Sequence, residues 1–88
     1  MERIIVYKLI DEERGYQDDL GDDRTDGHIH SVTDELVLMQ VYLQRALAEW
    51  ANNPGDLYAL VQIKKVAAIA VRCLENNMID KYLIGKDR

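Results

Sequence analysis

The sequence predicts an all-α domain, and three observations carry that prediction. Apolar residues recur at helical spacing over two long stretches. Leu, Ala, Val, Ile, Glu and Lys are common while phenylalanine is absent and proline occurs once. Third, the single Asn53-Pro54 pair divides the two long stretches, as a boundary between helices does. At 88 residues, 48% hydrophobic and 31% charged, the chain has the composition of one ordered domain rather than a disordered segment. Residues 1–88 are therefore read as a single helical unit.

The first element is placed at about residues 2–18. Its opening, RIIVYKLI, is β-branched enough to suit a strand, and Ile5, Leu9 and Glu12 share a helical face only loosely. Gly15 and Gly21 bracket the acidic stretch GYQDDLGDDRTDGHIHS, read as a loop from about Leu20 to His30. As a calcium loop that stretch fails. Counted from Asp22, its third position is Arg24 and its twelfth is Thr33, where carboxylates are needed. His28 and His30 form a His-x-His pair with no third ligand fixed by spacing, so they read as structural histidines.

The second helix is placed at 33–51. Ser31 or Thr33 can cap it, and Asp34 and Glu35 set negative charge at the positive end of the helix dipole. Leu36, Met39, Leu43, Leu47 and Trp50 follow as one apolar stripe. The third helix is placed at 54–76, with Asn53 as cap, Pro54 at the first helical position and Asp56 in the first turn. It is apolar on nearly every side, from Leu57 through Val66 and Ile69 to Leu74, and Cys73 reads as a small core residue among them. Such a helix belongs at the centre of a bundle, and 88 residues hardly enclose it. The bundle is accordingly expected to be completed by oligomerisation, as a homodimer or homotetramer. A short tail helix is placed at 78–84.

Charge and cysteine content limit the functions. A net charge of −5 argues against general nucleic-acid binding or an anionic membrane surface. The one cysteine rules out an internal disulfide and suits a reducing cytoplasm. No apolar run reaches membrane-spanning length, and the charged opening MERIIVYKLIDEER does not read as a signal peptide.

Two polar lines interrupt the apolar helices: Gln62, Lys65, Arg72 and Asn76 on the third, and Glu35, Tyr42, Arg45 and Glu49, with Leu38 between, on the second. Facing polar pairs at i, i+3 are how bundles build sites between helices. On pattern alone, each line reads as a solvated face.

From Glu13 to about Asn77, three quarters of the chain, the sequence resembles the small, mostly phage-borne branch of the MazG-like all-α nucleoside triphosphate pyrophosphohydrolases. The resemblance rests on ERGYQD (13–18), HIHSV (28–32), LVLMQVYLQRA (36–46), NNPGDLYAL (52–60) and VAAIAVRCLENN (66–77), in that order and spacing. It implies a helical bundle and a site of acids that hold Mg²⁺ against a triphosphate. Here the sequence departs from its relatives. The positions of those acids fall on Gln40, Tyr42, Arg45, Gln62 and Lys65, none of them a carboxylate and two of them cations. Mg²⁺ needs hard oxygen ligands, and two positive charges repel it.

The expectation is thus a catalytically degenerate MazG-like protein with no metal and no catalytic residues. It would be a phage accessory protein in the host cytoplasm, binding a host protein or a nucleotide or phosphate at those five positions. The alternative is an active Mg²⁺-dependent pyrophosphohydrolase that uses other acids, among them Asp22, Asp26, Asp34 and Glu35.

Overall fold

A computed structural model describes residues 1–25, 30–52 and 55–79 of the 88, with the side chains of 21–25 left out. The described residues form three α-helices and no strand: α1 (Arg3–Thr25), α2 (Val32–Asn52) and α3 (Leu57–Asn77). The all-α expectation holds. No helix among the described residues is long and apolar enough to cross a membrane.

Helix α1 runs to Thr25 rather than ending near Asp18, so much of the acidic stretch expected as a loop is helical. Its own composition opposes this, because acids near a helix C-terminus meet the negative end of the dipole and Gly21 costs backbone entropy. The polar contacts of its described side chains lie before that extension. Arg14 binds Asp18 one turn on at 2.8 Å, and Gln17 Nε2 donates to the Lys65 carbonyl of α3 at 3.5 Å. Of the remaining loop, Asp26, Gly27, His28 and Ile29 lie outside the described residues.

Helix α2 begins with a reciprocal cap. The Asp34 N–H donates to Ser31 Oγ and the Ser31 N–H to Asp34 Oδ2, both at 3.1 Å. This is a capping box with aspartate in the glutamate role, and it selects Ser31 over Thr33.

Helix α3 starts at Leu57, three residues later than the Pro54 start expected from sequence. Asp56 is its N-cap, without a side-chain cap bond, and Gly55 supplies the turn at φ 129°, a conformation that favours glycine. Asn53 and Pro54 lie outside the described residues. At the other end Met78 is extended, and its N–H reaches the Leu74 carbonyl at 2.9 Å. Met78 and Ile79 are not helical; the rest of the expected tail helix lies outside the described residues.

As its hydrophobicity implies, α3 is the central element. It packs on both α1 and α2, whereas α1 and α2 make no close approach to each other among the described residues. Among the described residues the buried hydrophobic ones are few and small: Ala46, Ala59, Ala68 and Ile69. Two bidentate ion pairs reinforce that slender core. Arg14 of α1 grips Glu75 of α3 at 2.8 and 3.0 Å, and Arg72 of α3 grips Glu35 of α2.

Candidate functional site

The three helices enclose a cleft of about 560 Å³, within the range of small-molecule sites. Each helix contributes one face. From α1 come Glu13, Tyr16, Gln17 and Leu20, at i, i+3, i+4 and i+7. From α2 come Leu38 and Tyr42, with His30 just before the helix, and from α3 come Lys65, Ile69 and Arg72.

The two polar lines noted in the sequence are therefore walls of this cleft in their middle portions. Leu38, Tyr42, Lys65 and Arg72 face it, while Asn76 lies exposed. The solvated-face reading is corrected for those four residues and for Glu35, which is fully buried.

Of the five positions where the resemblance places metal-binding acids, three come together. The Tyr42 ring lies 4.8 Å from the Arg45 guanidinium carbon and 5.8 Å from the Lys65 ammonium. Both are cation–π distances. Lys65 has no carboxylate partner among the described residues, so its charge stays available in the cleft. Gln62 does not line the cleft; its Oε1 is buried with no hydrogen-bond partner among the described residues. Gln40 is exposed and also outside the cleft lining. Two residues from Tyr42 in a helix, it points about 200° away around the axis.

The base of the cleft is ionic. Glu35 has no exposed surface, and both its oxygens are held by Arg72, Oε2 by Nε at 2.6 Å and Oε1 by Nη2 at 2.7 Å. His30 Nδ1 lies 3.6 Å from Glu35 Oε1. Glu13 faces Lys64 at 3.9 Å. Gln17 spends its amide N–H on the Lys65 carbonyl, which leaves its Oε1 as an acceptor without a protein partner among the described residues.

The Mg²⁺ implied by the resemblance does not fit this donor set. Glu35 is committed to Arg72, Glu13 sits against Lys64, and Lys65 puts a positive charge where a divalent cation would have to be neutralised. Among the described residues no three of His, Cys, Asp and Glu group as metal ligands. Asp34, one of the alternative acids, is engaged in its cap. Asp22 and Asp26 belong to the part whose side chains are not described.

Sequence reasoning missed the α1 wall, although its signal was present: Glu13, Tyr16, Gln17 and Leu20 fall on one helical face. No family model matches the chain, and neither a curated protein nor a solved structure matches it.

Proposed function

We propose that this is a MazG-like binding protein without the hydrolase chemistry, which holds a phosphate-bearing nucleotide in the α1–α2–α3 cleft by cations instead of a metal. Lys65 carries the reading: an ammonium at the cleft wall, with no carboxylate partner among the described residues, beside the Tyr42 ring. A phosphate oxygen is the natural partner of such a group. Tyr16 and Tyr42 offer aromatic surface to a base. A phage accessory role in the host cytoplasm goes with this reading.

Calorimetric titration with nucleoside mono-, di- and triphosphates, with and without Mg²⁺, tests it. Binding is expected without the metal, and Lys65→Gln weakens it about ten- to a hundredfold, the loss of one charge-assisted hydrogen bond. Absence of nucleotide heat would transfer the role to a host protein partner. Pyrophosphate release that depends on Mg²⁺ or Mn²⁺ and stops with a chelator would establish the hydrolase alternative. That alternative is the weaker reading because Glu35 and Asp34 already have partners.

A further inference from the structure

Polar and apolar side chains follow one another along the cleft in the same order on two helices. The α3 wall runs Lys65, Ile69, Arg72. On α2, Leu38 stands between Tyr42 and Glu35, as Ile69 stands between Lys65 and Arg72. The Lys65 ammonium lies 5.8 Å from the Tyr42 ring centroid, and the Arg72 guanidinium is fastened to Glu35. Lys65 and Arg72 are seven residues apart on α3, and their partners Tyr42 and Glu35 are seven apart on α2. At 1.5 Å per residue, both helices therefore set the two cationic ends about 10 Å apart. Glu35 takes the Nε–H and one Nη2–H of Arg72, two of the five donors of a guanidinium. Nη1 has no hydrogen-bond partner among the described residues, and the nearby Glu75 spends both its oxygens on Arg14. The outer edge of the Arg72 fork, Nη1 with the second N–H of Nη2, is thus left over for a ligand.

We infer that the cleft takes a nucleoside phosphorylated at both ends of its sugar, with one phosphate on Lys65 and the other on the outer edge of Arg72, an assignment that rests on the nucleotide reading above. A single phosphate does not reach both ends. Two charge-assisted hydrogen bonds and the width of a phosphate together span about 8 Å. A diphosphate is long enough, but its charged middle would lie on Ile69 and Leu38. Ile69 is 2% exposed, and neither side chain has a donor, so the bridging oxygens would lose water without compensation. A nucleoside 3′,5′-bisphosphate reverses that arrangement. Its uncharged ribose lies on Ile69 and Leu38, its anions meet the two polar ends, and its base has the rings of Tyr16 and Tyr42.

The other charges of the cleft leave room for two anions. Glu13 is the one carboxylate on its lining among the described residues, and Lys64 faces it at 3.9 Å. Glu35 is neutralised by Arg72, with His30 Nδ1 3.6 Å from the same carboxylate. The two ends differ in kind. Lys65 supplies a full charge, whereas Arg72 supplies directed N–H donors whose plane Glu35 fixes before a ligand arrives, which lowers the cost of binding.

Calorimetry of the full chain with a chelator present tests this, using the 5′-monophosphates, 5′-diphosphates and 3′,5′-bisphosphates of adenosine, guanosine, cytidine and uridine. For a base that binds, the bisphosphate is expected to bind about tenfold or more tightly than either of the others, the gain of one charge-assisted contact. In Lys65→Gln that preference should disappear, because one anion has lost its cation. Leu38→Lys should instead move the preference toward the diphosphate, since it sets an ammonium where the uncharged middle lies. The panel is read first on the wild type, whose fold no substitution disturbs. A 5′-monophosphate or 5′-diphosphate that binds it as tightly as the bisphosphate overturns the inference and leaves the nucleotide reading in place. A preference that survives Lys65→Gln overturns it too. Fructose 1,6-bisphosphate and fructose 6-phosphate separate the two claims from the other side. If no nucleotide gives heat and the sugar bisphosphate is preferred, the two anion points stand and the nucleoside is wrong. If nothing in the panel binds, both fall.

Discussion

Arg72 of α3 holds both carboxylate oxygens of Glu35 of α2, at 2.6 and 2.7 Å, and Glu35 has no solvent exposure at all. Among the described residues Glu35 is the largest fully buried side chain, and the buried hydrophobic ones are three alanines and one isoleucine. The pair ties α2 to α3 directly beneath the cleft. A buried carboxylate is tolerated only when its lone pairs are met, and Arg72 meets them with the parallel geometry of a guanidinium fork.

Removing one partner should therefore cost far more than removing both. Arg72→Met alone leaves Glu35 as an uncompensated buried charge and is expected to destabilise by about 3–5 kcal/mol. The double variant Glu35→Leu with Arg72→Met should recover most of that loss, because an apolar pair of similar volume avoids the desolvation cost. Urea denaturation of wild type, both single variants and the double variant measures the coupling. Additive losses would show that the pair does not act as a unit.

The second bidentate pair gives the protein an acid-sensitive tie between α1 and α3. Hydrogen bonds from Arg14 hold the Glu75 carboxyl below the ordinary glutamate range, and the same bonds raise the Arg14 guanidinium. A carboxyl depressed in the fold adds stability above its unfolded value of about 4.3, and that contribution fades as pH falls through the lower folded value. Wild type should therefore exceed Glu75→Gln in urea midpoint at neutral pH and converge with it in the acid limb. Glu75 is half exposed, so the gap should stay below about 1 kcal/mol. A gap that persists below the folded value would locate the effect elsewhere.

Two glycines should respond in opposite directions to the same substitution. Gly15 sits inside α1, and an added Cβ would meet nothing within 4 Å. Gly15→Ala is expected to stabilise by about 0.5–1 kcal/mol through the unfolded chain's lost freedom. Gly55 also has open space around it, but its φ of 129° is a conformation that L-residues avoid. Gly55→Ala should cost about 1–3 kcal/mol in strain. Thermal melting of both variants at one protein concentration checks the signs.

Local patterns made the three helices legible, and helical phase already contained most of the cleft. Tyr42 with Arg45, and Lys65 with Arg72, stood on polar lines whose spacing fixed their direction. The same phase shows why Gln40 cannot share a cleft with Tyr42, a conclusion that matching positions along a family pattern does not deliver. Glu35 misled for a different reason. Beside Asp34 at a helix start, it reads as a charge placed for the dipole, and nothing local shows that Arg72, 37 residues away, takes it out of water. The length of α1 was hidden likewise, because its acidic second half carries loop composition.

The last prediction separates the Tyr42 ring from its hydroxyl. Arg45 and Lys65 both lie at cation–π distance from that ring, so the ring can hold the Lys65 ammonium beside the cleft without neutralising it, as a carboxylate would. If that positioning matters, Tyr42→Phe should bind nucleotide almost as wild type does. Tyr42→Leu should bind about three- to thirtyfold more weakly, the equivalent of one cation–π contact of about 0.5–2 kcal/mol. Both variants keep an apolar side chain at a half-buried position, so their folds should survive. Equal loss in the two would assign the role to the hydroxyl. No loss in either would leave Lys65 acting alone. Calorimetry with the same nucleotide at two salt concentrations completes the comparison, because screening should weaken what Lys65 contributes and leave ring stacking nearly untouched.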